Sequence, residues 1–203
     1  MAWETVTAQD IGGLNQALNE ATWIGFSIDT AARRAGLLLD VLSLPPEGLA
    51  APENLVVLML GQVTRIAASL RDGWWNDTEA AAAPLRVEDL DATVRSFGGC
   101  PVYGWEFFDP PEDSWSAWRH RLSIDARLAD GEPEHVIEIF QEGTAEPRHF
   151  DLRVWFGQIQ VTRPDGLRIP AADFIADGVR WWDGLYSGDS RTSGKGIFPL
   201  RKG

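Results

Sequence analysis

Between positions 105 and 163, apolar and polar residues alternate with a period of two, and turn-forming clusters interrupt the alternation. This pattern predicts an antiparallel meander. Trp118, His120, Leu122, Ile124, Ala126 and Leu128 fall on one face of a first strand, with Arg119, Arg121, Ser123, Asp125 and Arg127 on the other. Asp130-Gly131-Glu132-Pro133 ends it. A second strand sets His135, Ile137 and Ile139 against Glu134, Val136, Glu138 and Phe140, and residues 143–147 then turn the chain. Phe150, Leu152, Val154 and Phe156 alternate with Asp151, Arg153 and Trp155 before Gly157-Gln158 leads into a strand at 159–161. Pro164-Asp165-Gly166 closes the run.

Upstream, Thr7 followed by Asp10 has the form of a capping box, and Ile11, Leu14, Ala17 and Leu18 make a helical stripe to about Glu20. Strands are predicted at 23–29 and 36–44, a loop at 45–52, and one long strand from Leu55 to about Leu70, bent at Gly61. Such unbroken apolar runs suggest strands covered on both faces. A loop follows at 71–84, then a second helix at 88–97 stopped by Gly98-Gly99, and a strand at 103–108. Pro170 begins a third helix through Phe174, Ile175, Val179 and Trp182. From 187 onward Gly, Ser and basic residues predict a tail that is loose, or held only by Ile197, Phe198 and Leu200.

Set side by side, these elements read as one helix-strand-strand-strand unit used twice, in halves 5–84 and 85–166 with a closing helix at 170–185. Asp10-Ile11 and Gly25-Phe26 match Asp89-Leu90 and Gly104-Trp105, both 79 positions on. Leu60-Gly61-Gln62-Val63 matches Phe156-Gly157-Gln158-Ile159 at 96 positions, so the second half carries room for an added strand, assigned to 136–142. Leu85-Arg86-Val87 and Leu167-Arg168-Ile169 match as a third helix start, which leaves 71–84 as an insertion in the first half. Identities are few, and the competing explanation is chance agreement between ordinary amphipathic patterns. The reading is an α+β fold: a mainly antiparallel sheet of about seven or eight strands with three helices, forming one domain over residues 1–186.

Composition narrows the function classes. A chain of 203 residues with 44% hydrophobic content buries a substantial core. Its formal charge of −12 and pI near 4.6 argue against a nucleic-acid backbone or an anionic membrane as partner and favour a basic or neutral one. A single cysteine, Cys100, allows no internal disulfide, and Met1-Ala2-Trp3-Glu4 starts neither a basic nor an apolar leader, so a cytoplasmic location is expected. The apolar runs are far short of the roughly 20 residues a membrane span needs.

No catalytic motif stands out. His120, His135 and His149 are each in or beside a meander strand, but none has the spacing of a metal-ligand pair. Asp125, Glu138, Glu142 and Asp151 with Arg121, Arg127 and Arg153 have the make-up of an acid-base pair, and more simply of a cross-strand charge ladder on a wet sheet face. Gly188 to Gly196 misses the phosphate-loop pattern in spacing and in its last residue, and no nucleophile elbow surrounds a serine. Cys100 follows a helix end instead of preceding a helix, which gives its thiol no activation. No cofactor or metal is expected.

Tryptophans remain. Trp74 and Trp75 fall in the inserted loop, beside Gly73 and Asn76-Asp77, where the repeated scaffold does not need them. They serve either to plug the core of their own chain or to form a contact surface for a protein, a second copy of this chain or a sugar. Trp115, Trp155 and the Trp181-Trp182 pair are further candidates; for the helical pair, one core residue and one partly exposed neighbour are expected. The favoured function is non-enzymatic protein binding through acidic surface and Trp-bearing loops, in one version an inhibitor or immunity-type protein steered onto a basic toxin or nuclease. The rival is a small-molecule binder or hydrolase-like enzyme, with a pocket inside the curved sheet lined by Trp105, Trp118, Trp155 and carboxylates.

Overall fold

A computed structural model describes residues 2–74, 76–102, 106–131, 133–143, 146–193 and 195–197. The expectations placed on Trp75, Tyr103, Gly104, Trp105, Phe198 and Leu200 lie outside them. The chain forms helix α1 (Ala8–Leu18), strands β1 (Thr22–Asp29), β2 (Arg34–Asp40), β3 (Leu55–Gly61) and β4 (Arg65–Arg71), then α2 (Leu90–Ser96) and a one-turn α3 (Glu112–Ser116). After these come β5 (Ile124–Arg127), β6 (His135–Glu142), β7 (His149–Phe156), β8 (Gln158–Thr162), the short β9 (Arg168–Ile169) and α4 (Ala171–Ser187). The class is α+β, and all strand pairs are antiparallel.

Two sheets form, ordered β1-β2-β3-β8-β9 and β5-β4-β7-β6. One long antiparallel ribbon joins them: β3 pairs β8 in the first, β4 pairs β7 in the second. The ribbon breaks where Gly61 and Gly157 face each other, with Gly157 N–H donating to the Gly61 carbonyl at 3.0 Å. Side chains have no room there, since a Cβ on Gly157 would meet Gln62 Oε1 and one on Gly61 would lie 2.8 Å from the Trp3 ring. The predicted long strand from Leu55 is therefore two strands, separated by Gln62 with φ +56°. Corresponding places in the two sheets are taken by β2 and β6, β3 and β7, and β8 and β4; a bridge from Phe108 to Ile137 lies on the β6 edge as β1 lies on β2. β9 lies beside β8 in the first sheet as β5 lies beside β4 in the second.

The meander is corrected in two respects. β4 sits between β5 and β7, so of the predicted neighbours only β6 and β7 form a hairpin in one sheet. The first meander strand is also only four residues long: Trp118 and His120 lie in turns after α3, with Trp118 N–H and Arg119 N–H both donating to the Trp115 carbonyl.

α1 starts as its capping box predicts, the Asp10 carboxylate accepting the backbone N–H of Thr7 at 2.9 Å and its hydroxyl at 2.6 Å. Its stripe of Leu14, Ala17 and Leu18 joins Leu90 and Val94 of α2 in a core fed by both sheets. At its centre Trp23 is wholly buried, stacked on Phe150 with centroids 5.9 Å apart and edge-on to Phe26 at 6.2 Å. β2 ends at Asp40, short of the predicted Leu44; Leu42 and Leu44 instead join Trp181, Trp182 and Leu185 of α4 in a second apolar cluster. Leu38, Val57 and Met59 face the other side of the first sheet and are only half-buried, so coverage there is partial. Residues 189–193 and 195–197 are anchored, with Thr192 buried, Ile197 against the second cluster and Lys195 Nζ donating to the Pro52 carbonyl at 2.6 Å.

Candidate functional site

The core side of the second sheet is apolar and the opposite side is polar, but that polar side is wet only toward its β5 edge, where Asp125 and Arg127 are exposed. Residues 109–123, including α3, lie across it as a strap. Arg71 and Arg153, on adjacent strands β4 and β7, are both completely buried there. Arg71 donates to Asp151 at 2.8 Å, and Asp151 also meets His149 Nε2 at 3.0 Å. Arg153 bonds Glu138, its cross-strand partner on β6, and Glu112 of α3 at 3.3 Å. The strap closes over these charges with aromatic rings: Trp118 over Arg71 at 3.3 Å and Trp115 over Arg153 at 4.9 Å. For Asp151 and Arg153 burial replaces the solvated ladder expected from the sequence, because the strap supplies two indole faces and a carboxylate in place of water, while Asp125 and Arg127 stay exposed.

This cluster holds charge and hydrogen-bonded histidine, the ingredients of acid-base chemistry, with Asp151 and His149 both buried. His135 bonds Asp109 at 3.0 Å and the Val6 carbonyl, and His120 is exposed, so the three histidines go to three separate places. Among the described residues no three His, Cys, Asp or Glu side chains gather to hold a metal ion. Cys100 is buried, with its thiol donating to the Phe97 carbonyl at 2.8 Å, and burial pushes its pKa up.

The tryptophan candidates separate sharply. Trp115 and Trp181 are buried; Trp182 is buried as well, not partly exposed, because residues 42–44 pack over that side of α4. Trp155 is half-buried beneath Arg65, whose guanidinium lies 4.6 Å from its ring and makes a two-pronged ion pair with Asp125 at 2.7 and 2.8 Å. Trp75 lies outside the described residues. Trp74 remains, 46% exposed.

Local chemistry holds Trp74 out. Its loop leaves β4 through buried Gly73, where a Cβ would come 2.6 Å from that of buried Ala80, so the loop's two ends pinch together. Between them a turn forms, Asp77 N–H donating to the Trp74 carbonyl at 2.9 Å and Glu79 N–H to Asp77 Oδ1 at 3.0 Å. Ala83 N–H returns to the Leu70 carbonyl, at 2.7 Å. Asp72, Asn76, Asp77, Thr78 and Glu79 are all exposed. The outcome is a fixed acidic turn that presents an indole, with Glu79 reaching Arg121 of the strap at 3.7 Å.

Among the described residues the sheet interior offers no comparable exposed ring. Trp23, Phe108, Phe150 and Phe156 fill it, while Trp118 and Trp155 lie on the opposite, strap side. Sequence reasoning missed Arg71, whose signal was a charged residue ending an apolar strand, and it missed a cleft between α1 and α4. Compared with known protein families, with curated proteins and with solved structures, the chain matches none.

Proposed function

We propose that the protein acts by binding another protein through the acidic loop that carries Trp74. The observation behind this reading is the indole itself, nearly half exposed on a turn whose backbone is hydrogen-bonded and whose neighbours are carboxylates. An indole buries roughly 150–250 Å² when enclosed. Leaving about half of that in water forgoes about 2–3 kcal/mol, which a partner recovers on docking. Interfaces concentrate their energy in such rigid aromatic anchors.

Charge sets the kind of partner. At −12 the chain repels nucleic acid and anionic lipid and attracts a basic protein, whose encounter it accelerates. A basic toxin or nuclease held in check by this loop fits that description, which makes an inhibitor or immunity-type role the concrete form of the proposal. The test is capture from native cell extract on wild-type protein and on folded Trp74→Ala side by side. A basic protein retained by the wild type and lost by the variant is the expected result; equal retention of every captured protein overturns the reading.

A further inference from the structure

Gly12 and Gly13 sit together inside α1, where each glycine costs about 1 kcal/mol relative to alanine. Gly13 has a packing reason: a Cβ there would lie 2.4 Å from Ile175 of α4. Gly12 has none, since a Cβ would meet nothing within 4 Å. It opens instead onto a cleft of about 340 Å³ between α1 and the end of α4, lined also by Asn15, Gln16, Asn19, Glu106, Trp182 and Tyr186. That volume lies within the range of small-molecule sites.

Positions 12, 15 and 16 share one face of α1, Asn19 caps its C-terminal end, and Trp182 and Tyr186 are one turn apart on α4. Asn15 anchors the third wall, its Oδ1 accepting the backbone N–H groups of Phe107 and Phe108, each at 2.8 Å, which sets Glu106 at the rim. The rings of Trp182 and Tyr186 lie 6.1 Å apart at 32°, and Tyr186 is 60% exposed. The carboxamides of Gln16 and Asn19 and the carboxylate of Glu106 line the cleft with them.

We infer that this cleft binds a neutral saccharide. The exposed Tyr186 ring, backed by buried Trp182, offers an apolar face to the C–H side of a sugar ring, while the two carboxamides supply donors and acceptors and Glu106 accepts from hydroxyls. An anion is repelled by Glu106 and by the chain's negative charge. An organic cation satisfies Glu106 and the rings but leaves the amide N–H groups unmatched. A hydroxyl-rich neutral ligand answers carboxamides, carboxylate and ring together, and Gly12 keeps the space for it.

The test is saturation-transfer NMR with calorimetry on the full chain, using methyl glycosides of glucose, galactose, mannose and N-acetylglucosamine, with tetramethylammonium and inorganic phosphate as counter-probes. At least one glycoside binds saturably, with Kd at or below about 1 mM. Gly12→Leu, directed into open space, weakens it by about tenfold or more with an unchanged circular dichroism spectrum, and Tyr186→Ala, at an exposed position, also weakens it. Absence of saturable glycoside binding, equal binding by folded Gly12→Leu, or binding of tetramethylammonium or phosphate alone overturns the assignment. Neither variant alters the Trp74 loop, so this outcome is independent of the protein-binding reading.

Discussion

Arg71 places its guanidinium 3.3 Å from the ring centre of Trp118 while donating to Asp151 at 2.8 Å. The pair ties the strap to a strand whose Arg71 is otherwise sealed from water, with its Nε and Nη1 finding no other partner. Removing one charge from such a site leaves the other buried and uncompensated. Arg71→Met therefore costs about 3–5 kcal/mol in chemical denaturation, and Arg71→Met/Asp151→Leu recovers a large part of it. Losses that simply add in the double variant contradict the coupling.

The α1–α4 crossing makes opposite predictions for two glycines. A Cβ on Gly178 would lie 2.5 Å from the Ala17 Cβ and 2.7 Å from its Cα, against backbone that cannot step aside. Gly178→Ala thus lowers stability by about 1–3 kcal/mol despite the better helix former. Gly12→Ala, facing open space, raises it by about 0.5–1 kcal/mol. Thermal melts of both variants check the pair of signs.

Asp91 links α2 to β1, accepting the Phe26 N–H at 2.9 Å and Arg95 Nε at 2.8 Å. Partial burial raises its pKa, but the Arg95 and Phe26 bonds outweigh that and hold the carboxyl below its ordinary value. A carboxyl depressed on folding contributes its stability above its unfolded pKa, near 4, and loses it as pH falls through the lower folded value. The difference in denaturation midpoint between wild type and Asp91→Asn is largest at pH above about 5 and shrinks with acidification. A difference that grows on acidification reverses the sign of the argument.

Cys100 reacts slowly with an aromatic disulfide reagent at neutral pH, because burial raises its pKa and its thiol is bonded to the Phe97 carbonyl. Modification becomes fast and complete once the chain is unfolded. Rapid reaction of the native protein would place Cys100 at the surface.

Local signals in the sequence carried the helices and most strands, because capping and period-two alternation act over a few residues. The Thr7/Asp10 box, the Gly98-Gly99 stop and the alternation of 149–156 all appear in the molecule. Strand order did not follow, since nothing in the alternation tells β5 that its neighbour is β4 instead of β6. The same ambiguity hid the strap: Trp118 and His120 alternate like strand residues, but the pull of the Trp118 ring toward Arg71, 47 residues earlier, decides their place. Sequence position set Trp74 and Trp75 in a loop beyond the scaffold but left core plug and contact surface as alternatives; the structure leaves Trp74 46% exposed. The sequence could not distinguish Trp181 from surface, as its cover comes from Leu42 and Leu44, far away in the chain. The cleft left one faint trace, a Gly-Gly pair inside a helix, which only the packing of Gly13 against Ile175 and the emptiness above Gly12 resolve.

The measurement that bears most directly on the proposed function is the dissociation constant of the captured partner for wild type and for Trp74→Ala, at low and at physiological salt. The account predicts a loss of about 2 kcal/mol, roughly 30-fold, in the variant. That loss appears in the dissociation rate, while added salt slows association of both proteins alike. Equal affinities for the two proteins, or a partner whose association is indifferent to salt, would contradict it.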